Sequence, residues 1–404
     1  MSATPESRAV IAGSMRVLVA FDKFKHSLSA TELCALTART LRKIQPTWSV
    51  DLCPLTDGGD GFEEVLREAV RGDAHALMTT GPRGGLVESG LTTTTWARVP
   101  LAAKDLIPDE FAPAAEDRVA LIELARSSGI ARLAPDLRDP WQTSTHGTGQ
   151  LIRAAAELGA QLIILGIGGS ATNDLGLGAL SALGFEFRSV TGGKLRPPTP
   201  HVWKDLAAID GSVFAAVPPI IIACDVDNPL LGPRGAAATF GPQKGLPPNR
   251  LDELERQSAR VAQMLCAHCG QSPSLVQMPG TGAAGGTAFG LLCATRARLV
   301  SGAEFVERWL RLPERIAEAD IVITGEGHFD ATSLGGKGPG HVLALARAGR
   351  KSIHVFAGKV SSQPMDGVQL HQITSTAGPA DEAVLRATGK NLVEHLQVTF
   401  GSPR

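Results

Sequence analysis

Five short apolar runs in this chain stop at acidic or glycine-rich residues. Arg16–Phe21 (RVLVAF) runs into Asp22-Lys23-Phe24-Lys25, 161–165 (QLIIL) into GIGGSATND, and 219–224 (PIIIAC) into Asp225-Val226-Asp227-Asn228. The other two are 320–324 (DIVIT), which runs into Gly325-Glu326-Gly327, and 352–356 (SIHVF), which runs into Ala357-Gly358-Lys359. β-Branched runs without polar alternation predict parallel strands covered on both faces. After the first run, Ser27 or Ser29 caps a helix, and Glu32 stands three residues beyond Ser29, as a capping box requires. Leu33, Leu36 and Leu41 then recur at helical spacing. A second strand at 50–55 ends at 56–61 (TDGGDG), and a helix follows with Phe62, Val65 and Leu66 inward.

The pattern changes in the middle of the chain. Residues 81–100 mix Gly, Thr and Val without helical period and predict a hairpin or meander. A strand is expected at 118–124, a loop-rich stretch at 128–142, and a helix at 147–158 entered through Gly-Thr-Gly. Residues 251–266 are helical in pattern, and 271–286 reads as a Gly/Pro-rich connection. Beyond about residue 300 the β-α alternation returns. The expected class is α/β: a Rossmann-like parallel-sheet domain built by both chain ends, 15–80 plus 295–404, with a second mixed α/β domain, 81–294, inserted between them. Residues 1–14 read as a disordered extension, and they lack the basic start and apolar stretch of a signal peptide.

Composition narrows the function classes. With 404 residues, 43% hydrophobic and 20% charged, the chain can build two or three packed domains. A net charge of −1 argues against nucleic-acid binding, and no apolar run approaches a membrane span. Six cysteines make no disulfide framework, so a reduced, cytoplasmic protein is expected. The oligomeric state is not set by the sequence, and a homodimer stays open.

In open α/β sheets, ligands bind where the strands end. Gly166-Ile-Gly168-Gly169-Ser170-Ala171 fits G-x-G-x-x-A, with Glu186 twenty residues on. It reads either as a dinucleotide turn or as a phosphate or substrate loop closed by Asn173 and Asp174. The second is favoured, because Thr172-Asn173-Asp174, Gly176 and Gly178 make a poor first helical turn. Residues 280–286 (GTGAAGG) either bring a helix N-terminus to an anion or pack two helices closely. There is no Walker A sequence and no protein-kinase motif set. Lys23, Lys25, Lys244 and Lys337 nevertheless lie in strand-end or glycine-rich loops, a phosphate-binding arrangement. Acids come in loop pairs: Asp57 with Asp60, Asp225 with Asp227, Glu326 with Asp330. They suit Mg²⁺ or the orientation of an attacking hydroxyl, and helix capping is the plainer alternative. Cys266 and Cys269 read as helix-end residues rather than a metal site, and no G-x-S-x-G elbow supports a serine hydrolase.

Taken in order, FDKFKHSLSA (21–30), TDGGDG, Gly147-Thr148-Gly149, ILGIGGSATNDLGLG (164–178), CDVDNPLLGPRGAAATFGPQKG (224–245), PGTGAAGG (279–286) and ITGEGHFDATSLGGKGP (323–339) resemble the glycerate kinase family. Lys23, His146 and Thr332 depart from the Ser, Tyr and Gln usual there. The resemblance implies two α/β domains with the active site in the cleft between them. It also implies phosphoryl transfer from ATP to D-glycerate with Mg²⁺, commonly at the 2-hydroxyl. On this reading Lys25, Asp174, Asp225 and Glu326 serve the chemistry. Asp22, Ser27, Asp57, Gly58, Gly168, Gly169, Ser170, Asn173 and Asn228 hold substrate or phosphate. Lys244, Gly282, Gly285, Gly325 and Lys337 face the nucleotide, and Asp225, Asp227, Glu326 and Asp330 hold the metal. Which acid is base and which binds metal stays open. The rival readings are an NAD-dependent oxidoreductase using the 166–171 turn and a catalytically silent nucleotide or hydroxy-acid binding protein.

Overall fold

The structure, a computed structural model, describes residues 15–24, 27–56, 58–334, 338–373 and 382–401. The extension expected at 1–14 lies outside them, as do Lys25, Asp57 and Lys337. The chain divides into two compact units, 1–55 with 311–404 and 56–310.

The first unit is built on a five-stranded, all-parallel sheet. Arg16–Phe21 runs beside Ile321–Gly325, the central strand, on one side and Ser49–Leu52, the edge strand, on the other. Ser352–Ala357 and Val368–Gln372 extend the sheet. Every residue of Arg16–Phe21 after the first is buried, as a strand covered on both faces must be. The strand expected at 50–55 leaves its ladder at Leu52, yet the amides of Cys53 and Leu55 still donate to Val19 and Phe21 at 2.8 Å. Helix Ala30–Ile44 begins with the predicted capping box: the Ser29 amide donates to Glu32 at 2.8 Å and the Glu32 amide to Ser29 Oγ at 3.2 Å.

The second unit carries a six-stranded mixed sheet. Ala297–Val300, Ile220–Ala223, Ala160–Gly166 and Arg118–Glu123 are parallel neighbours in that order, and the hairpin Asp73–Thr80 with Leu86–Thr95 adds two antiparallel strands. The boundaries therefore differ from those read along the sequence. Asp73–Thr80 pairs along its whole length with Leu86–Thr95, and Trp309 from helix Gly302–Leu310 donates to the Leu66 carbonyl at 3.1 Å. These contacts hold 56–80 and 295–310 in the second unit. The β-α alternation runs on through the first junction, and the second falls between helices Gly302–Leu310 and Leu312–Glu318.

Residues 271–286 are also not a plain connection. Ala284, Gly285 and Gly286 are left-handed, with φ of 53°, 65° and 84°, and the helix that continues to Ala294 starts after them.

Candidate active site

In the second unit the parallel register brings Glu123, Gly166 and Ala223 level with one another. The turns that follow these strands therefore gather at one sheet edge, where an α/β fold presents its ligand sites. The 166–171 turn is locked to the glycine-rich 58–61 loop. The Gly168 amide donates to the Gly58 carbonyl at 3.0 Å. A Cβ on Gly168 would lie 2.5 Å from the Gly59 Cα, so only glycine lets the backbones approach this closely. Gly169, with φ +72°, sits against the Asp60 carboxylate. Helix Leu177–Ala182 begins only six residues after Ala171. A dinucleotide turn needs its helix to open at the third small residue, so the geometry removes the oxidoreductase reading of this turn.

Asp174 is completely buried, and burial raises its pKa. Its carboxylate accepts from the Thr145 amide at 2.7 Å, the Thr145 hydroxyl at 2.9 Å, the Gly176 amide at 3.2 Å and the Gly178 amide at 3.1 Å. With those donors filled, the side chain braces the starts of two helices. Asn173 beside it is 1% exposed, and its Oδ1 accepts no hydrogen bond among the described residues. Lys244 is also inward: 2% exposed, it donates from Nζ to Ser170 Oγ at 2.8 Å and to the Thr172 carbonyl at 2.6 Å. Burial pulls its pKa down to about 7, with Asp174 opposing. Gly285 packs beneath the same turn, where a Cβ would stand 2.0 Å from the Thr172 carbonyl. Gly282 donates to the Asn228 carbonyl at 2.9 Å and would meet Pro229 if enlarged. Both glycines are thus accounted for by close packing.

The acids of CDVDN separate in role. Asp225 accepts from Ser301 Oγ at 3.1 Å and from the Ala303 amide at 3.0 Å, at the start of helix Gly302–Leu310. Asp227 is exposed and pairs with Arg234 at 2.8 Å. Asn228 spends its amide on the Arg234 carbonyl at 2.7 Å and Thr239 Oγ1 at 3.2 Å.

The sequence reading passes over Glu123. It is 5% exposed and accepts from the Gly61 and Glu63 amides at 3.2 Å each, which fastens the 58–61 loop and the start of helix Phe62–Val70. Burial pushes its pKa up to about 7. Buried Glu63 beside it accepts from Thr92 and pairs with Arg126. The signal was available, since Glu123 is an acid closing a buried strand. It is masked because Leu124 prolongs the apolar run.

In the first unit, the Asp22 amide donates to the Gly325 carbonyl at 3.0 Å, so Asp22 and Glu326 follow neighbouring strand ends. A Cβ on Gly325 would meet the Phe356 carbonyl at 1.7 Å. Asp330 lies 3.7 Å from His328. Ser27 belongs to the turn before the first helix, its amide donating to the Phe24 carbonyl at 2.8 Å.

The model of the Glycerate kinase family matches residues 17–397. The chain is 35% identical over 350 residues to a glycerate kinase of Bacillus subtilis, covering 86% of each. It is 33% identical over 383 residues to a glycerate 2-kinase of Escherichia coli, covering 91% of this chain and 93% of that one. A crystal structure described as a glycerate kinase 2 of Salmonella typhimurium LT2 superposes with a TM-score of 0.74 at 33% identity, covering 96% of this chain and 97% of the other. With its motifs in the family's order and its match running nearly end to end, this chain belongs to the glycerate kinase family.

Proposed function

We propose that this kinase transfers the γ-phosphoryl group of ATP to D-glycerate, giving ADP and a phosphoglycerate, with the 2-hydroxyl favoured as acceptor. The observation that carries the reading is the lock between the 58–61 loop and the 166–170 turn. Two backbones meet there at a strand end, with a buried lysine under Ser170. Phosphoryl transfer asks for positioning and charge neutralisation more than for covalent help, and such a frame supplies the positioning. The amide of Gly169, the Ser170 hydroxyl and Asn173 would hold glycerate or the moving phosphoryl group, while the Gly168 amide keeps the turn on Gly58. Lys244, Gly282 and Gly285 would act from beneath this frame rather than on the nucleotide.

Among the described residues no three His, Cys, Asp or Glu side chains converge as a metal cage. Magnesium does not need one, since it takes one or two carboxylates and completes its shell with water and phosphate oxygens. Asp225 or Glu326, hard oxygen donors at strand ends, fits that demand. Mg²⁺ bound with ATP would offset the charge on the phosphoryl oxygens. No helix among the described residues is long and apolar enough to cross a membrane. The six cysteines are free, which supports placement in the reducing cytoplasm.

The test is ATP consumption against a panel of small hydroxy acids, with the product located by NMR. The expected result is one ADP per phosphoglycerate with D-glycerate preferred. Reduction or oxidation of a nicotinamide without ATP turnover, or binding without product, overturns the proposal.

A further inference from the structure

We propose that Ser170 and Lys244 form a proton relay: Ser170 Oγ takes the proton shed by the attacking glycerate hydroxyl while its own proton passes to Lys244 Nζ. The inference rests on the glycerate kinase reading above. The contacts carry it. Nζ lies 2.8 Å from Ser170 Oγ and 2.6 Å from the Thr172 carbonyl, both uncharged partners. Asp174, from the turn after Ala160–Gly166, is the charged group facing the lysine, and its carboxylate is engaged by Thr145, Gly176 and Gly178. Arg138 abuts the neighbouring Gly245, and helix Ala236–Phe240, packed on the lysine's own turn, brings no ionisable side chain.

A buried ammonium without a contacting carboxylate is poorly stabilised, and its pKa falls to about 7. Both protonation states fit the same two contacts. The ammonium donates to Ser170 and Thr172. The neutral amine still donates to Thr172 while its lone pair receives the Ser170 hydroxyl. Ser170 is 8% exposed, so the relay keeps an outlet at the turn surface. In the step, a bond forms between the glycerate oxygen and the γ-phosphorus. The bond from that phosphorus to the β,γ-bridging oxygen breaks, and ADP leaves with the electron pair. The hydroxyl proton is replaced, through Ser170, by a third N–H on Lys244.

The experiment is steady-state kinetics of the full chain with D-glycerate and ATP from about pH 5.5 to 9, alongside thermal unfolding, for K244M, K244R and S170A. The wild type should gain kcat as pH rises through about 7, as a neutral lysine requires. Each variant should lose that inflection and at least about a hundredfold in kcat, with glycerate KM changed by less than about threefold. Should K244M fail to fold, S170A and K244R decide. An inflection kept in the folded lysine variants makes Lys244 a brace only and overturns the relay, as does near-wild-type kcat in S170A. A wild type that makes no phosphoglycerate overturns both the relay and the functional reading, whereas an active wild type with unaltered variants overturns the relay alone.

Discussion

Asp174 and Asp225 look alike in sequence, an acid in a loop after a buried strand, yet their surroundings assign them different work. Asp174 accepts four hydrogen bonds in a fully buried position. Removing it strands the Thr145, Gly176 and Gly178 donors. Asp174→Ala should therefore cost roughly 3 to 5 kcal/mol of stability in denaturant unfolding, the scale of a broken buried charged network. Wild-type stability in that variant would return the carboxylate to the chemistry. Asp225 uses Oδ1 on Ser301 and Ala303. Asn can keep that contact, so Asp225→Asn should fold normally while kcat falls at least about a hundredfold, as when a positioned carboxylate loses its charge. Unchanged kcat and KM would move the role to Glu326. The distinction was not legible from residue types, because the donors that fill Asp174 include Thr145, which is far away in the chain.

Among the elements, the most legible were those with local causes. The capping box at Ser29 and Glu32 and the strand Arg16–Phe21, buried after its first residue, follow from spacing alone. The least legible depended on a distant neighbour. His354 sits in a buried strand, 5% exposed, and its Nδ1 lies 3.1 Å from Nε2 of His371 on the next strand. The Phe400 ring covers it at 4.6 Å, and His395 on the same helix faces His371 electrostatically. Burial, with His371 adding to it, lowers the His354 pKa from 6.5 to about 4. The unfolded chain thus binds its proton first as pH falls. Stability present above pH 6.5 should be lost progressively toward pH 4, by on the order of 2 kcal/mol. Unfolding midpoints across that range read the slope, and the double variant His354→Gln, His371→Gln should flatten it. An equally steep slope in the double variant would place the acid sensitivity elsewhere.

For the whole molecule, the sequence was sufficient for the α/β class and the participation of both chain ends, but not for the unit boundaries. Those are decided by which sheet a strand joins, as Asp73–Thr80 illustrates. Turnover as a whole should need Mg²⁺ or Mn²⁺ and vanish with chelator, because the strand-end groups are hard oxygen donors. Full activity in excess EDTA would be the contrary result, and dependence on zinc would bring Cys266 and Cys269 back into view. The divided first unit also bears on how the protein is made. Thr324 bonds the Ala20 carbonyl across 304 residues, so Ile321–Gly325, the middle strand of that sheet, is among the last synthesised while its neighbour Arg16–Phe21 is among the first. At roughly 5–20 residues per second the ribosome needs tens of seconds to bridge that gap, and domains fold as they emerge. Residues 56–310 can therefore settle first, while RVLVAF waits with a bare edge that must be shielded until Ile321–Gly325 arrives.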